Sequence, residues 1–318
     1  MKKNFSVLLF FTAAMASASQ PPLTIQEYCS SPQKTIADCN DLFDAAFNKP
    51  TGGEKHPLSD AANRDTLIAV SQEINHRYDG NVIVSVGQSP AYIIKAAELI
   101  NELCENPNTQ YRYLAFSGKF LDADGTHDQK KEFVTSAKTI PTQEEIASYT
   151  RYLKSVQLDP KKIIKRHRKK SQKTVFTDFI SSARGFASFV YILNAIARKE
   201  GVEEESLKNS VGYHVFHMQE QPLTFKSIHI KDAEYSYVCD LCNNNVHAIE
   251  KKLIFNLARE HTNILFNDRL VEHFPKNTWN ENNRDRFKPS DNAKLLIFKI
   301  IDHLACEQKP EPSKKSKK

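Results

Sequence analysis

The chain has 318 residues with a formal net charge of +6 at pH 7, and 40% of its residues are hydrophobic. That length accommodates one large α/β domain with additions, or two small domains. Its six cysteines are far too few for a fold that disulfides hold together.

The N-terminus has the pattern of a secretory signal peptide. A basic start at Met1–Asn4 precedes an apolar run from Phe5 to Ala14 and an A-x-A site at Ala16–Ala18. The alternative is a buried N-terminal helix. Because the apolar run is too short to span a bilayer, we predict a signal peptide over residues 1–18 and export to the periplasm or the medium. Since no later run is apolar enough to cross a membrane, we expect a soluble mature protein without a transmembrane segment.

Short apolar strands alternate with amphipathic helices through the middle of the chain. The predicted strands are residues 81–86, 111–116, 173–179, 211–218 and 235–239. The predicted helices are residues 60–78, 91–103, 142–156, 185–199, 246–259 and 293–304, with a polar loop at 121–130. This alternation predicts an α/β fold, with a mostly parallel sheet covered by helices on both faces.

The same pattern divides the chain into regions. After the signal peptide we expect an N-terminal helical region over residues 19–79 and an α/β core over 80–240. A helical C-terminal extension is expected over 241–306. The last residues, 307–318, are rich in Lys, Pro and Ser, and this composition predicts a basic disordered tail.

The turn after the strand at 173–179 concentrates groups that suit an anion. Asp178 lies near the strand end, and small or polar residues lead into the next helix: Ser181, Ser182, Ala183, Arg184 and Gly185. Hydroxyls and the unpaired amides of a helix N-terminus bind phosphate oxygens, and a carboxylate binds a ribose hydroxyl or a divalent ion. The alternative is purely structural, with Ser182 as the N-cap of the helix.

The segment Thr177–Gly185 resembles the phosphoribosyl-diphosphate loop of type I phosphoribosyltransferases. In that family an acidic pair grips the ribose hydroxyls, and the following loop cradles the 5′-phosphate. The resemblance implies that Asp178 takes the second acidic role, with a part in catalysis and in metal binding. It also implies that Ser181, Ser182, Ala183, Arg184 and Gly185 line the phosphate. Thr177 stands at the first acidic position, and Gly185 stands where the family has a closing hydroxyl.

Two further segments resemble parts of the same family in the same order, over residues 80–220. Val84–Ala91 resembles the diphosphate loop, which implies that Gly87, Gln88 and Ser89 contact diphosphate; Gln88 stands near the arginine of many members. The family has a mobile loop after the next strand, from which Lys119 would reach the diphosphate as a catalytic residue. The resemblance implies transfer of a phosphoribosyl group to a nitrogen nucleophile with loss of diphosphate, assisted by Mg²⁺.

Two other functions stay open. Gly87–Ala91 is close to the nucleophile elbow of α/β-hydrolases, with Ser89, Asp178 and either His214 or His217 in the order of a triad, although no strands precede residue 81. Alternatively, the chain is an exported interaction module that reuses the fold without catalysis, because phosphoribosyl diphosphate is a cytoplasmic metabolite.

Basic residues are concentrated in one short segment. Eight Lys and Arg residues lie between Lys161 and Lys173. The segment has three interpretations: a solvated helix end, a source of positive potential for the phosphate site, or an attachment point for nucleic acid or an anionic lipid surface. Aromatic residues are not interleaved with it, so the pattern does not indicate specific binding of single strands.

Overall fold

The structure is a computed structural model. It describes residues 61–87, 90–103, 108–116, 120–127, 130–135, 140–180, 182–218, 226–231, 236–240 and 246–249. The helices in these ranges are α1 (Ala61–Arg77), α2 (Ala91–Leu103), α3 (Gln143–Ser155), α4 (Pro160–Lys170), α5 (Arg184–Lys199) and α6 (Glu204–Ser210). The strands are β1 (Val82–Val86), β2 (Gln110–Leu114), β3 (Leu121–His127), β4 (Lys130–Thr135), β5 (Thr174–Ile180), β6 (Val211–Met218), β7 (Ser227–Lys231), β8 (Ser236–Asp240) and β9 (Val246–Ile249).

The core of the fold is a parallel sheet with the strand order β2-β1-β5-β6-β9. Every pair of neighbouring strands in it runs parallel. All five residues of β1 are buried, as expected for a strand of a sheet that is covered on both faces. The predicted α/β fold with a mostly parallel sheet flanked by helices is therefore confirmed.

Aromatic side chains show which helices cover each face. On one face the ring of Phe176 lies 4.9 Å from that of Phe189 in α5. Since successive side chains of a strand point to opposite faces, Thr177 and its neighbour on β6, His214, project to the other face. There the His214 Nδ1 lies 2.9 Å from the hydroxyl of Tyr78, directly after α1, and α1 packs against α2.

The helix starts follow the local sequence. Thr142 and Glu145 form a capping box at the start of α3. The side chain of Asp159 accepts from the amide of Lys162 at 3.0 Å, and Pro160 occupies the first turn of α4. These caps fix where α3 and α4 begin, and α4 leads directly into β5.

Two sequence predictions are wrong at the level of single elements, and a third element is a strand as predicted but belongs to another sheet. The predicted loop at 121–130 is the hairpin of β3 and β4, within a second sheet of order β3-β4-β7-β8. The strand predicted at 235–239 is β8, which pairs antiparallel with β7 in this second sheet. Val246–Ile249 is a strand beside β6 rather than the start of a helix. The pairing of β4 with β7 and of β9 with β6 joins segments that are distant in sequence, and such ladder pairing overrides local propensity.

Other sequence predictions lie outside the described residues: the signal peptide, the helix at 293–304 and the basic tail. Within the part of the chain that the structure describes, none of the helices combines the length and the apolar character that a membrane crossing requires.

Candidate functional site

The strand order places the turn after β1 and the turn after β5 side by side at one edge of the sheet. From β1 the chain passes to β2 on one side, and it later returns to β5 on the other side of β1. In such sheets the connections leaving the two central strands diverge to opposite faces, and ligands bind in the resulting crevice at the carboxyl ends. Gly87 follows β1, and Ser182 follows β5, at this edge. The fold therefore brings together two segments that the sequence holds about 90 residues apart.

Asp178 lies on β5, on the face that α5 covers. Its Oδ1 accepts the amide of Phe179 at 2.7 Å. The residue is partly buried, and burial of the carboxyl raises its pKa to about 8, against the lowering effect of that hydrogen bond. A carboxyl with this pKa is mostly protonated at neutral pH, and a bound cation would favour its charged form.

The start of α5 carries no side-chain cap. The N-cap is Ala183, whose φ of 62° lies in the left-handed region. Few non-glycine residues adopt this conformation, and it costs about 1 kcal/mol or more. Ser182 is therefore not the N-cap that the structural alternative requires, although the Arg184 amide approaches its Oγ at 3.5 Å. The first amides of α5 have no intrahelical acceptor and stay suited to an anion.

A cation that the sequence did not indicate lies beside this turn. The Lys131 Nζ, on β4, donates to the carbonyl of Ser182 at 2.7 Å, and burial lowers its pKa. The sequence missed Lys131 because the segment before it was assigned to a loop. Only the pairing of β4 with β7 in the second sheet places this ammonium at the start of α5.

The side chain of Arg184 is engaged by the second sheet, whereas its backbone amide belongs to the first turn of α5. Its Nε donates to the carbonyl of Leu121 at 2.9 Å, and its Nη2 pairs with Asp122 at 2.9 Å. Both partners belong to β3, so the guanidinium connects α5 to the second sheet. Gly185 follows as the second residue of α5 and is partly buried.

The turn after β1 needs a glycine. Gly87 has a φ of 67°, and a Cβ at this position would lie 3.2 Å from the carbonyl oxygen of Phe116. Its amide donates to the carbonyl of Leu114 at 2.8 Å, so this hydrogen bond holds the carboxyl ends of β1 and β2 together. Gln88 and Ser89 lie outside the described residues. The next helix contains a buried Tyr92 hydroxyl with no hydrogen-bond partner within the described part of the chain.

The segment that contains Lys119 is anchored on both sides. Lys119 itself and Ser181 lie outside the described residues. Before the segment, the Tyr149 hydroxyl donates to the carbonyl of Ala115 at 3.0 Å, and the amide of Ala115 donates to the Tyr152 hydroxyl at 2.8 Å. After it, the amide of Phe120 donates to the Ser188 Oγ in α5 at 3.2 Å. These bonds hold Ala115 close to α3 and Phe120 close to α5.

Asp178 is the residue for which the resemblance implies metal binding. Among the residues that the structure describes, no three His, Cys, Asp or Glu side chains lie close enough together to hold a metal ion. Mg²⁺ commonly binds one or two carboxylates and completes its shell with substrate phosphates and water. A single carboxylate at the carboxyl end of β5 fits that mode of binding.

Of the two histidines considered for the alternative hydrolase triad, one lies on the face of the sheet opposite Asp178. His214 pairs with Thr177 across the β5–β6 ladder, so it projects to the face opposite Asp178. It is fully buried there, against Tyr78. His217 shares the face of Asp178, since it pairs with Ile180. A triad with His214 is therefore excluded, and the nucleophile proposed for it, Ser89, lies outside the described residues.

The fold and this edge define a class: an α/β protein with a parallel sheet whose strand order reverses between β1 and β5 and whose polar turns meet at that reversal. Comparisons with protein-family models, with curated proteins and with solved structures found no match for the chain.

The raised pKa of Asp178 predicts a pH-dependent stability. The folded chain keeps a proton that the unfolded chain loses near pH 3.8, so the contribution of this group is fully present below that pH. It is lost as the pH rises through about 8. Each unit of pKa difference corresponds to about 1.4 kcal/mol. Urea unfolding at pH 5 and pH 8 should therefore show Asp178→Asn gaining stability relative to the wild type at the higher pH. If the difference in the free energy of unfolding between the wild type and Asp178→Asn is the same at both pH values, the carboxyl of Asp178 is not buried as described.

Proposed function

We propose that the protein is phosphoribosyltransferase-like and binds a phosphorylated ribose or nucleotide at the reversal point between β1 and β5. The single observation that carries the proposal is the meeting of the Gly87 turn and the Ser182 turn at this edge of the parallel sheet. The two turns are the ones that resemble the diphosphate and phosphate loops of type I phosphoribosyltransferases.

Each part of the ligand has a group of matching chemistry. The amides at the start of α5, together with Ser181 and Ser182, receive the 5′-phosphate, and the Lys131 ammonium beside Ser182 adds positive charge. The Gly87 turn receives the diphosphate together with Gln88 and Ser89, which follow it in the chain, and with Lys119, which follows β2. Asp178 would accept from a ribose hydroxyl and, in its charged form, would hold Mg²⁺, which would neutralise charge on the diphosphate.

Transfer would break the bond between the ribose C1 and a diphosphate oxygen while a nitrogen nucleophile forms a bond to C1. The electron pair of the broken bond leaves with the diphosphate, so stabilisation of that developing charge is the main catalytic task. Lys119 supplies positive charge for it. No covalent intermediate with the protein is required, since binding and orientation provide the rest.

A second candidate function is a binding module without transfer, an exported interaction protein that reuses the fold. Thr177, at the first acidic position of the family loop, is fully buried, and its hydroxyl donates to the carbonyl of Val84 at 2.9 Å. It faces away from Asp178, so the acidic pair is reduced to one carboxylate. Fold by itself does not imply activity. The two functions are distinguished by incubating the protein with phosphoribosyl diphosphate and an acceptor base: a transferase releases diphosphate, and a binding module does not.

Binding is tested by the shift in unfolding temperature on addition of phosphoribosyl diphosphate with Mg²⁺. Ligand at one hundred times its dissociation constant stabilises a protein by about 2.7 kcal/mol, and we expect Asp178→Asn to lose most of this stabilisation. Asp65→Asn, which changes an exposed carboxylate in α1, should keep it. If neither phosphoribosyl diphosphate nor a nucleoside monophosphate stabilises the wild type, the proposal is wrong. Equal stabilisation of wild type and Asp178→Asn would remove Asp178 from the site.

Export belongs to the same proposal. It depends on residues 1–18, which lie outside the described residues. Expression of the full chain with a C-terminal tag, followed by N-terminal sequencing of the exported fraction, should show a new N-terminus at Ser19. Retention of Met1 in the cytoplasm would refute this part.

A further inference from the structure

A basic groove lies between α4 and α6, which pack against each other. It has a volume of about 590 Å³, and four cationic side chains of α4 line it: Lys161, Lys165, Arg168 and Lys169. Ile164 and Val202 contribute apolar surface. Positive φ at Gly201 turns the chain from α5 towards α6 and so shapes the groove.

The groove is remote from the candidate site. α4 ends at Lys170, shortly before β5 begins, and α6 ends at Ser210, directly before β6 begins. Both helices therefore lie at the amino ends of these parallel strands, whereas the Gly87 and Ser182 turns lie at the carboxyl ends. The basic segment does not extend the phosphate site and needs an explanation of its own.

Stabilisation of the helix does not account for these charges. Basic residues in the last turn of a helix interact favourably with its dipole, but Lys161 lies in the first turn, where a cation is unfavourable. Lys161, Lys165 and Lys169 also repeat every four residues, so like charges are neighbours on one helix face. All three are exposed, and within the described part of the chain none of them forms an ion pair.

The opposite wall of the groove orients one of the cations. The Arg168 Nη2 donates to the Ser206 Oγ at 3.4 Å, and this hydroxyl donates to the Glu203 carboxylate at 2.8 Å. Glu203 is exposed, as are the next two glutamates of α6. This acidic rim disfavours a flat anionic bilayer, which would have to approach the rim and the cations together.

We infer that this groove binds the phosphodiester backbone of a nucleic-acid duplex. The four cations extend over about 12 Å along α4 at 1.5 Å per residue. One strand of a duplex carries one phosphate per 3.4 Å of helix axis, and the backbone winds around that axis, so the row is long enough to contact more than one phosphate of a strand. A convex sugar–phosphate ridge fits a concave groove, and backbone contact needs no aromatic side chains. The recognition is therefore independent of base sequence.

The test compares two charge-matched variants of the full chain. Lys165→Gln/Lys169→Gln removes two cations from the groove. Lys162→Gln/Lys170→Gln removes two exposed lysines of the same helix that do not line the groove. Binding to a fluorescein-labelled 20-base-pair DNA duplex is measured by anisotropy between 50 and 200 mM salt, and circular dichroism checks that both variants fold.

We expect the groove variant to bind the duplex at least about tenfold more weakly than the wild type. The magnitude of the slope of log K against log salt should fall by about 1.8, or 0.9 for each lost phosphate contact. The matched variant should stay within about threefold of the wild type. Equal losses in both variants would overturn the inference, because only total charge would matter. So would absence of duplex binding by the wild type. Groove-dependent binding to phosphatidylserine vesicles without duplex binding would assign the groove to a lipid surface instead, and would equally overturn it.

Discussion

Replacing Phe176 by alanine is expected to lower the free energy of unfolding by about 3 to 5 kcal/mol. Phe176 is fully buried on β5, the strand between β1 and β6. Its ring lies 4.9 Å from that of Phe189 and stacks on that of Tyr213 at 6.3 Å. The substitution removes these contacts and leaves a cavity between the sheet and α5, which rigid neighbouring strands cannot fill.

Urea unfolding measures this loss, with Phe179→Ala as the matched control. Phe179 belongs to the same strand, projects to the other face and is only partly buried, so its truncation should cost clearly less. If Phe176→Ala does not fold, Phe176→Leu gives the same comparison with a smaller cavity. Equal costs for the two alanine variants would show that β5 does not pack against α5 as described.

Replacing Tyr152 by phenylalanine is expected to cost about 1 to 3 kcal/mol, because the buried amide of Ala115 loses its acceptor. Burial raises the pKa of both Tyr152 and Tyr149, so both hydroxyls stay protonated at neutral pH. Tyr149→Phe removes the donor to the Ala115 carbonyl and should cost less. Since the two hydroxyls bind the amide and the carbonyl of one residue, Ala115, we expect the double variant to deviate from additivity.

Tyr92→Phe is the control for these two variants. Its hydroxyl is buried and has no partner within the described part of the chain, so its removal should leave the free energy of unfolding unchanged or raise it. The position of Ala115 also determines where the segment containing Lys119 begins. Tyr152→Phe should therefore reduce stabilisation by phosphoribosyl diphosphate more than Tyr92→Phe does. A loss of stability as large in Tyr92→Phe as in Tyr152→Phe would contradict the hydrogen bonding described around Ala115.

Strands and helices with strong local patterns were predictable. β1, a short strand rich in valine and isoleucine, and α2, an amphipathic helix, both begin and end within one residue of the predicted bounds. The hairpin of β3 and β4 was not predicted, because Asp122, Gly125 and Thr126 favour a loop; β3 pairs with the adjacent β4, and β4 pairs in turn with β7, which is distant in sequence. Val246–Ile249 is decided in the same way by β6.

The residues of the candidate site also fall into two groups: those with a local sequence signal and those that only the tertiary structure brings to the site. Asp178, Gly87 and the small residues before α5 were identified from sequence, because a strand followed by a polar turn and a helix is a local pattern. Lys131 was not, since its strand is distant in sequence from β5. The engagement of Arg184 with Asp122 could not be predicted either, because the two residues are 62 positions apart in sequence and only the tertiary structure brings them together.

By itself the sequence determined the alternation of strands and helices and the two polar turns, because hydrophobic periodicity and turn residues act over short distances along the chain. Only the tertiary structure decided that these turns meet, since the order β2-β1-β5 depends on the direction of each crossover. It also decided which face of the sheet each strand residue occupies: the side chain of Asp178 lies on the face that α5 covers, and that of Thr177 lies on the opposite face. Finally, it placed the basic helix α4 at the amino ends of the strands, away from the site it precedes in sequence.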